Sequence, residues 1–195
     1  MDSGSSRARR AAEAARRAAS IRAVMLDVDG TLTDGTIWIG QDGEAMKGFS
    51  VHDGFGLTLL RDAGIRLAIV TGRRSRIVEA RAAELKIGTV IQGVGDKAAA
   101  LRELAARFAL PPTAIACIGD DWPDLPAFAL AGLAAAPAGA SAPVLAAAHW
   151  VSTRSAGQGA VREFAEWLLA ARGELDALLA RYLRGGSPGP QAAPH

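Results

Sequence analysis

A chain of 195 residues, half of them hydrophobic, is long enough for one domain of ordinary size with a sizeable core. The formal charge of only +2 argues against a nucleic-acid partner, because much of the basic excess sits in the first twenty residues, where acids interrupt the arginines and no aromatic interleaves them. A single cysteine, Cys117, excludes an internal disulfide and makes a reducing cytoplasm the simplest compartment.

Residues 1–20 read as a basic N-terminal arm, most simply a solvated Ala/Arg helix with no signal-peptide core behind it. The main domain is predicted over residues 21–183. It opens on the apolar run "IRAVMLD" (21–27), and similar strand-like runs follow at 66–72, 88–93, 114–120 and 132–137, with a weaker one at 149–153. Helical patterns fall between them at 54–63, 74–86, 96–109, 123–131 and 141–147, and two more at 159–171 and 174–183 close the domain. This alternation predicts an α/β fold, a Rossmann-like parallel sheet with helices on both faces. One segment departs from it. "TIWIGQDGEAMKGFSV" (36–51) has two extended arms around Gln41-Asp42-Gly43 and reads as a β-hairpin flap, too small to be a separate cap domain. The charge-free stretch 125–148 is mostly alanine cut by Pro126, Gly132, Pro137, Gly139 and Pro143, so no membrane span is expected. The Gly/Pro-rich residues 184–195 read as a disordered tail.

The chemistry concentrates where these strands end. In "VMLDVDGTLTDG", Asp27 and Asp29 follow an apolar strand two residues apart, so they can point the same way, about 6–7 Å from each other. In a parallel α/β sheet the carboxyl ends of the strands form the binding rim. Thr71-Gly72-Arg73 ends another strand there, Lys97 opens a helix after Gly93-Val94-Gly95-Asp96, and "GDDWPD" adds Asp120, Asp121 and Asp124. Carboxylates crowded together repel one another unless a cation sits among them. An oxygen-rich, histidine-poor donor set favours Mg²⁺, which accepts a phosphate oxygen readily. Lys97 and Thr71 can hold the remaining oxygens of a phosphoryl dianion, and an aspartate can attack it.

These segments, in this order and separated by 44, 26 and 23 residues from Asp27 to Thr71, Lys97 and Asp120 in turn, resemble the four motifs of the haloacid dehalogenase superfamily of phosphotransferases. Over about residues 21–170 the likeness extends to the capless 3-deoxy-D-manno-octulosonate 8-phosphate phosphatases, through "DGTLTDG", "MKGFSVHDGFG", "TGRRS", "GDKAAAL", "GDDWPDLP" and "GQGAVRE". The resemblance implies that Asp27 is the nucleophile and Asp29 the general acid and base. It implies that Asp27, the main-chain carbonyl of Asp29, and Asp120 hold Mg²⁺, and that Thr71 and Lys97 bind the phosphoryl group. The implied reaction releases a free sugar acid and phosphate, in lipopolysaccharide precursor synthesis. The implied assembly is a homotetramer, with residues 154–162 reaching a neighbour's active site.

Other residues are open to two readings. Asp121 and Asp124 either approach the metal or complement a helix dipole, and Asp124 can also orient Lys97 or a metal-bound water. Gly72 permits close backbone approach, while Arg73, Lys47, His52 and Arg81 are candidate substrate contacts or ordinary surface residues. Family members usually carry arginine where this chain has His52 and Gln158, which bears on the identity of the sugar. A nonulosonate 9-phosphate phosphatase is the nearest rival function. A receiver-type signalling module fits less well, because there the acidic pair precedes the phosphoacceptor and no residue plays the part of Asp29. A non-catalytic subunit beside a carboxylase would not need the intact set.

Overall fold

The computed structural model describes residues 3–185; the tail expected over 184–195 lies outside the described residues beyond Gly185. Six parallel strands form the main sheet: β1 (Ala23–Leu26), β4 (Arg66–Thr71), β5 (Val90–Gln92), β6 (Ile115–Ile118), β7 (Leu133–Ala138) and β8 (Trp150–Ser155). Their order is β5-β4-β1-β6-β7-β8. β1 is therefore flanked by β4, in register Leu26↔Ile69, and by β6, in register Leu26↔Ile118. The chain winds outward from β1 in one direction and then crosses back to start again on its other side at β6. That reversal opens a crevice at the carboxyl ends of β1 and β6, the usual ligand site of such sheets.

The strands are apolar throughout because both of their faces are covered. Alternate residues enter two cores. Val24, Leu26, Ile69, Ala116, Ile118 and Leu133 pack with α1 (Ser3–Ala18), α2 (Val51–Asp62), α3 (Arg76–Glu84), α7 (Ala160–Ala171) and α8 (Leu175–Leu183). Ala23, Met25, Ala68, Val70, Ile115 and Cys117 face α4 (Lys97–Arg107), α5 (Leu125–Phe128) and α6 (Ala142–Ala147). The weaker strand expected at 149–153 is a full member of the sheet. Its pairing with β7 slips at Pro137, which has no N–H to give to the ladder.

Local chemistry sets the helix starts. Ser50, Ser75 and Asp96 cap α2, α3 and α4 by accepting N–H groups from Asp53, from Val78, and from Ala98 and Ala99. The Ser50 cap starts α2 at Val51, three residues before the predicted boundary, because glycines at 54 and 56 obscure the helical pattern. The helix expected over 123–131 is shorter. A 3₁₀ turn at Trp122–Asp124 precedes α5, which ends at Phe128.

The basic N-terminal segment is an integral helix. Ala14 and Ala18 of α1 are fully buried. Arg10 donates to the carbonyls of Leu145 and Ala146 at the end of α6, and Arg17 donates to Gly132. These arginines serve as helix-end and loop caps. The flap is present as β2 (Trp38–Gly40) and β3 (Gly43–Met46), turning at Gln41-Asp42. Among the described residues, no helix is long and apolar enough to cross a membrane.

Candidate active site

Asp27 directly follows β1, and its N–H continues the ladder to the Ile118 carbonyl at 3.0 Å. Asp120 lies two residues past β6, so the neighbouring strand ends carry the two acids to one place. Carboxylate oxygens of Asp27, Asp120 and Asp124 all lie within 4.8 Å of one another. Glycines make the crowding possible. A methyl group on Gly30, at φ +88°, would sit 2.2 Å from Asp120 Oδ2, and one on Gly119 would meet the Asp124 carboxyl carbon at 2.2 Å.

Lys97, the first residue of α4, reaches back into this cluster. Its ammonium lies 2.8 Å from Asp27 Oδ1 and also bonds Asp124 Oδ1. Burial alone would lower the lysine's pKa, but Asp27 and Asp124 outweigh it and hold the ammonium above its usual value. Burial pushes Asp27 up to about 7, against the pull of Lys97 and with help from the Asp124 charge. Asp120 is pushed up to about 6, again chiefly by burial, although the Thr31 hydroxyl donates to it at 3.0 Å. Three carboxylates and one ammonium leave a net charge of two minus when all are ionised. A divalent cation among the oxygens suits that charge and relieves the cost of ionising Asp27 and Asp120.

Asp124 organises more than it offers. Its second oxygen accepts the N–H groups of Asp120 at 3.0 Å and Asp121 at 3.2 Å, so both oxygens are engaged. Orienting Lys97 and the Asp120 loop is therefore the role its bonds support. Asp121 is exposed and caps the 3₁₀ turn.

Asp29 stands apart from the cluster. Its carboxylate bonds the ammonium of Lys47 on the flap side, and Arg73 Nε lies 3.9 Å away. The Asp29 side chain is therefore engaged away from the cluster of Asp27, Asp120 and Asp124. Thr71 ends β4 as a buried residue and its carbonyl accepts the Val94 N–H at 3.1 Å, while Gly72 and Arg73 are exposed. The sheet thus assembles Asp27, Asp29, Thr71, Lys97 and Asp120 from four separate segments on one rim.

The expected substrate contacts divide. Arg73 stands beside Asp29. The Lys47 side chain is wholly buried between Asp29 and Glu44, which lies 2.8 Å from its ammonium, so the geometry gives it the task of holding Asp29. His52 is exposed on a different groove, with Arg154, Arg162, Glu163 and Glu166. Arg81 donates to the Ser50 carbonyl at 3.2 Å and to Glu84, and packs over Phe49.

A cleft of about 430 Å³ opens beside Asp29 and Asp120, walled by Asp34, Gly139, Ser155, Ala156 and Gln158 among others. Ser155, Ala156 and Gln158 therefore line a cleft of their own chain. The Gly157 N–H donates to the Thr31 carbonyl, which ties this segment to the loop after β1. Glu44, Thr31 and Asp34 went unnoticed in the sequence as site residues. Thr31 and Asp34 at least lie inside the "DGTLTDG" segment.

A buried nucleophile candidate beside an ammonium, a cation-seeking acid cluster and a separately held acid define an aspartate-based phosphohydrolase site. In agreement, the haloacid dehalogenase-like hydrolase family model matches residues 56–132. The 3-deoxy-D-manno-octulosonate 8-phosphate phosphatase KdsC of Yersinia pestis is 43% identical over 160 residues, covering 82% of this chain and 86% of that one. The phosphatase of that name from Moraxella catarrhalis, solved in complex with magnesium, phosphate and KDO, superposes with a TM-score of 0.84 at 40% identity, over 87% of this chain and 98% of that one. The cobalt-bound enzyme from Haemophilus influenzae gives a TM-score of 0.81 at 38% identity, over 83% and 94%. The chain belongs to the 3-deoxy-D-manno-octulosonate 8-phosphate phosphatase family of haloacid dehalogenase-like hydrolases.

Proposed function

We propose that the chain is a Mg²⁺-dependent phosphomonoesterase that hydrolyses 3-deoxy-D-manno-octulosonate 8-phosphate to the free sugar acid and phosphate. One observation carries this reading: Asp27, braced by Lys97 beside Asp120, shares a rim with the separately held Asp29, in a chain closely related to phosphatases of that specificity. Asp27 attacks phosphorus and the bond to the sugar oxygen breaks, with Asp29 supplying that oxygen's proton. Asp29 then takes a proton from the water that opens the aspartyl-phosphate, which frees phosphate and restores Asp27. Thr71 and Lys97 hold the phosphoryl oxygens throughout. Asp27, Asp120 and the Asp29 main-chain carbonyl would hold Mg²⁺, which supplies positive charge to the non-bridging oxygens. Gly72 and Arg73 border the leaving sugar.

The reading extends to a cytoplasmic enzyme of lipopolysaccharide precursor synthesis that works as a homotetramer. Support for assembly comes from the flap, where Trp38, Ile39 and Met46 are all more than half exposed in the single chain. Steady-state turnover of a sugar-phosphate panel, with Mg²⁺ and with excess chelator, tests the proposal. The eight-carbon acid phosphate should give the highest kcat/KM and chelator should abolish turnover. A higher value for a nonulosonate 9-phosphate would move the substrate to that class, and undiminished turnover in chelator would refute the metal requirement.

A further inference from the structure

The segment that opens α2, "VHDGFG", takes no part in the proposed chemistry, yet it contains a buried acid. Asp53 is 1% exposed, and among the described residues no cation pairs with it. Its Oδ2 accepts the N–H of Gly159 at 3.1 Å and its Oδ1 accepts that of Arg162 at 2.8 Å. These donors lie at the start of α7, where backbone N–H groups lack helical partners and a carboxylate is favoured by the helix dipole. α7 comes this close because residue 56 is glycine: a methyl group there would lie 2.8 Å from the Arg162 Cα.

Two residues before Gly159 the chain is held from its other side. Gly157 donates its N–H to the Thr31 carbonyl at 3.3 Å, and a Cβ on it would lie 2.7 Å from the Asp34 nitrogen. Gln158 is thus the one residue between two anchors, one on the loop that carries Asp29 and one on α2. It lines the cleft beside Asp29 and Asp120. Both anchors act on backbone, so what they determine is where Gln158 stands.

We infer that Asp53 is a positioning residue for substrate selection, holding Gly159 and through it Gln158 against the part of the cleft that receives the sugar. This rests on the sugar-phosphate reading above. The phosphoryl group itself is handled at Asp27, Thr71 and Lys97, so loosening the Gln158 wall weakens grip on the sugar without disarming the nucleophile.

The test compares 3-deoxy-D-manno-octulosonate 8-phosphate with p-nitrophenyl phosphate, which lacks the sugar. Asp53→Asn keeps the shape but sets an NH₂ against a backbone N–H, so one anchor bond is lost. Its KM for the sugar phosphate should rise about tenfold with kcat within about twofold, and p-nitrophenyl phosphate turnover should change by less than about twofold. Gln158→Ala should raise the same KM, and the double variant should be little worse than either single one. Equal loss on both substrates in Asp53→Asn, or additive effects in the double variant, would overturn the inference. An unaltered KM in Gln158→Ala would overturn it too, even if Asp53→Asn failed to fold. Wild-type enzyme with no preference for the sugar phosphate would instead remove the reading on which the inference stands, and that outcome needs no variant.

Discussion

Lys47→Met tests whether the flap lysine holds the general acid or touches the substrate. The lysine side chain is 0% exposed, and its two partners, Asp29 and Glu44, are 19% and 14% exposed. Methionine fills nearly the same space, so the change removes the ammonium and leaves the two carboxylates with only the half-exposed Arg73 nearby. Removing one partner of a fully buried pair costs about 3–5 kcal/mol. Here both acids keep some access to water and Arg73 stays close by, so a smaller cost, about 2–3 kcal/mol, applies. In a chain of this size that corresponds to a fall in Tm of roughly 5–10 °C. Asp29 also loses the contact that orients it. General acid–base catalysis is worth about 10²- to 10⁴-fold, and a misdirected acid forfeits part of this, so kcat for the sugar phosphate should drop about 10- to 100-fold. An ester with a good leaving group needs no proton and should lose much less. Differential scanning calorimetry and kcat on the two substrate types provide the readout, with Glu44→Gln added to restore part of the lost stability. A variant with unchanged Tm and kcat but a raised KM would refute the reasoning and return Lys47 to the substrate-contact role.

Asp27→Asn should lower phosphate release by about 10³-fold or more with the fold intact, since the amide is a poor nucleophile; near-normal steady-state turnover would rule out covalent catalysis. His149 Nδ1 accepts the Ala134 N–H at 2.9 Å, and burial, aided by Arg17, lowers its pKa below the ordinary 6.5. Below that value the unfolded chain binds more protons, so the histidine's contribution is present above it and is lost as pH falls through the folded pKa. Urea unfolding of His149→Gln across about pH 5 to 8 should therefore show a shallower acid-side loss than wild type, and parallel curves would contradict the assignment. Replacing Trp38 and Ile39 together by glutamate should dissociate the proposed tetramer in light scattering, and an unchanged mass would show that the flap is not the contact.

Alternation of apolar runs with helical patterns was enough, in the sequence, to predict a parallel sheet with helices on both faces. A sheet covered on both sides demands strands that are apolar throughout, and that demand is written locally in each segment. The same holds for the hairpin, whose Asp-Gly turn lies within a few residues. Asp27, Asp29, Thr71, Lys97 and Asp120 could also be read in advance, since each lies where a strand ends or a helix begins and one rim collects such positions. Asp53 could not. In sequence it belongs to a capped helix start after Ser50, and its partner Gly159 lies 106 residues away. Likewise Lys47 looks like one more basic residue on a flap until folding buries its stem between Asp29 and Glu44. The N-terminal arginines look like a solvated charge run until α1 lays Arg10 and Arg17 against carbonyls of distant segments. A polar side chain's role depends on which donors and acceptors surround it after long-range packing, and the backbone pattern that encodes the fold carries no record of those partners.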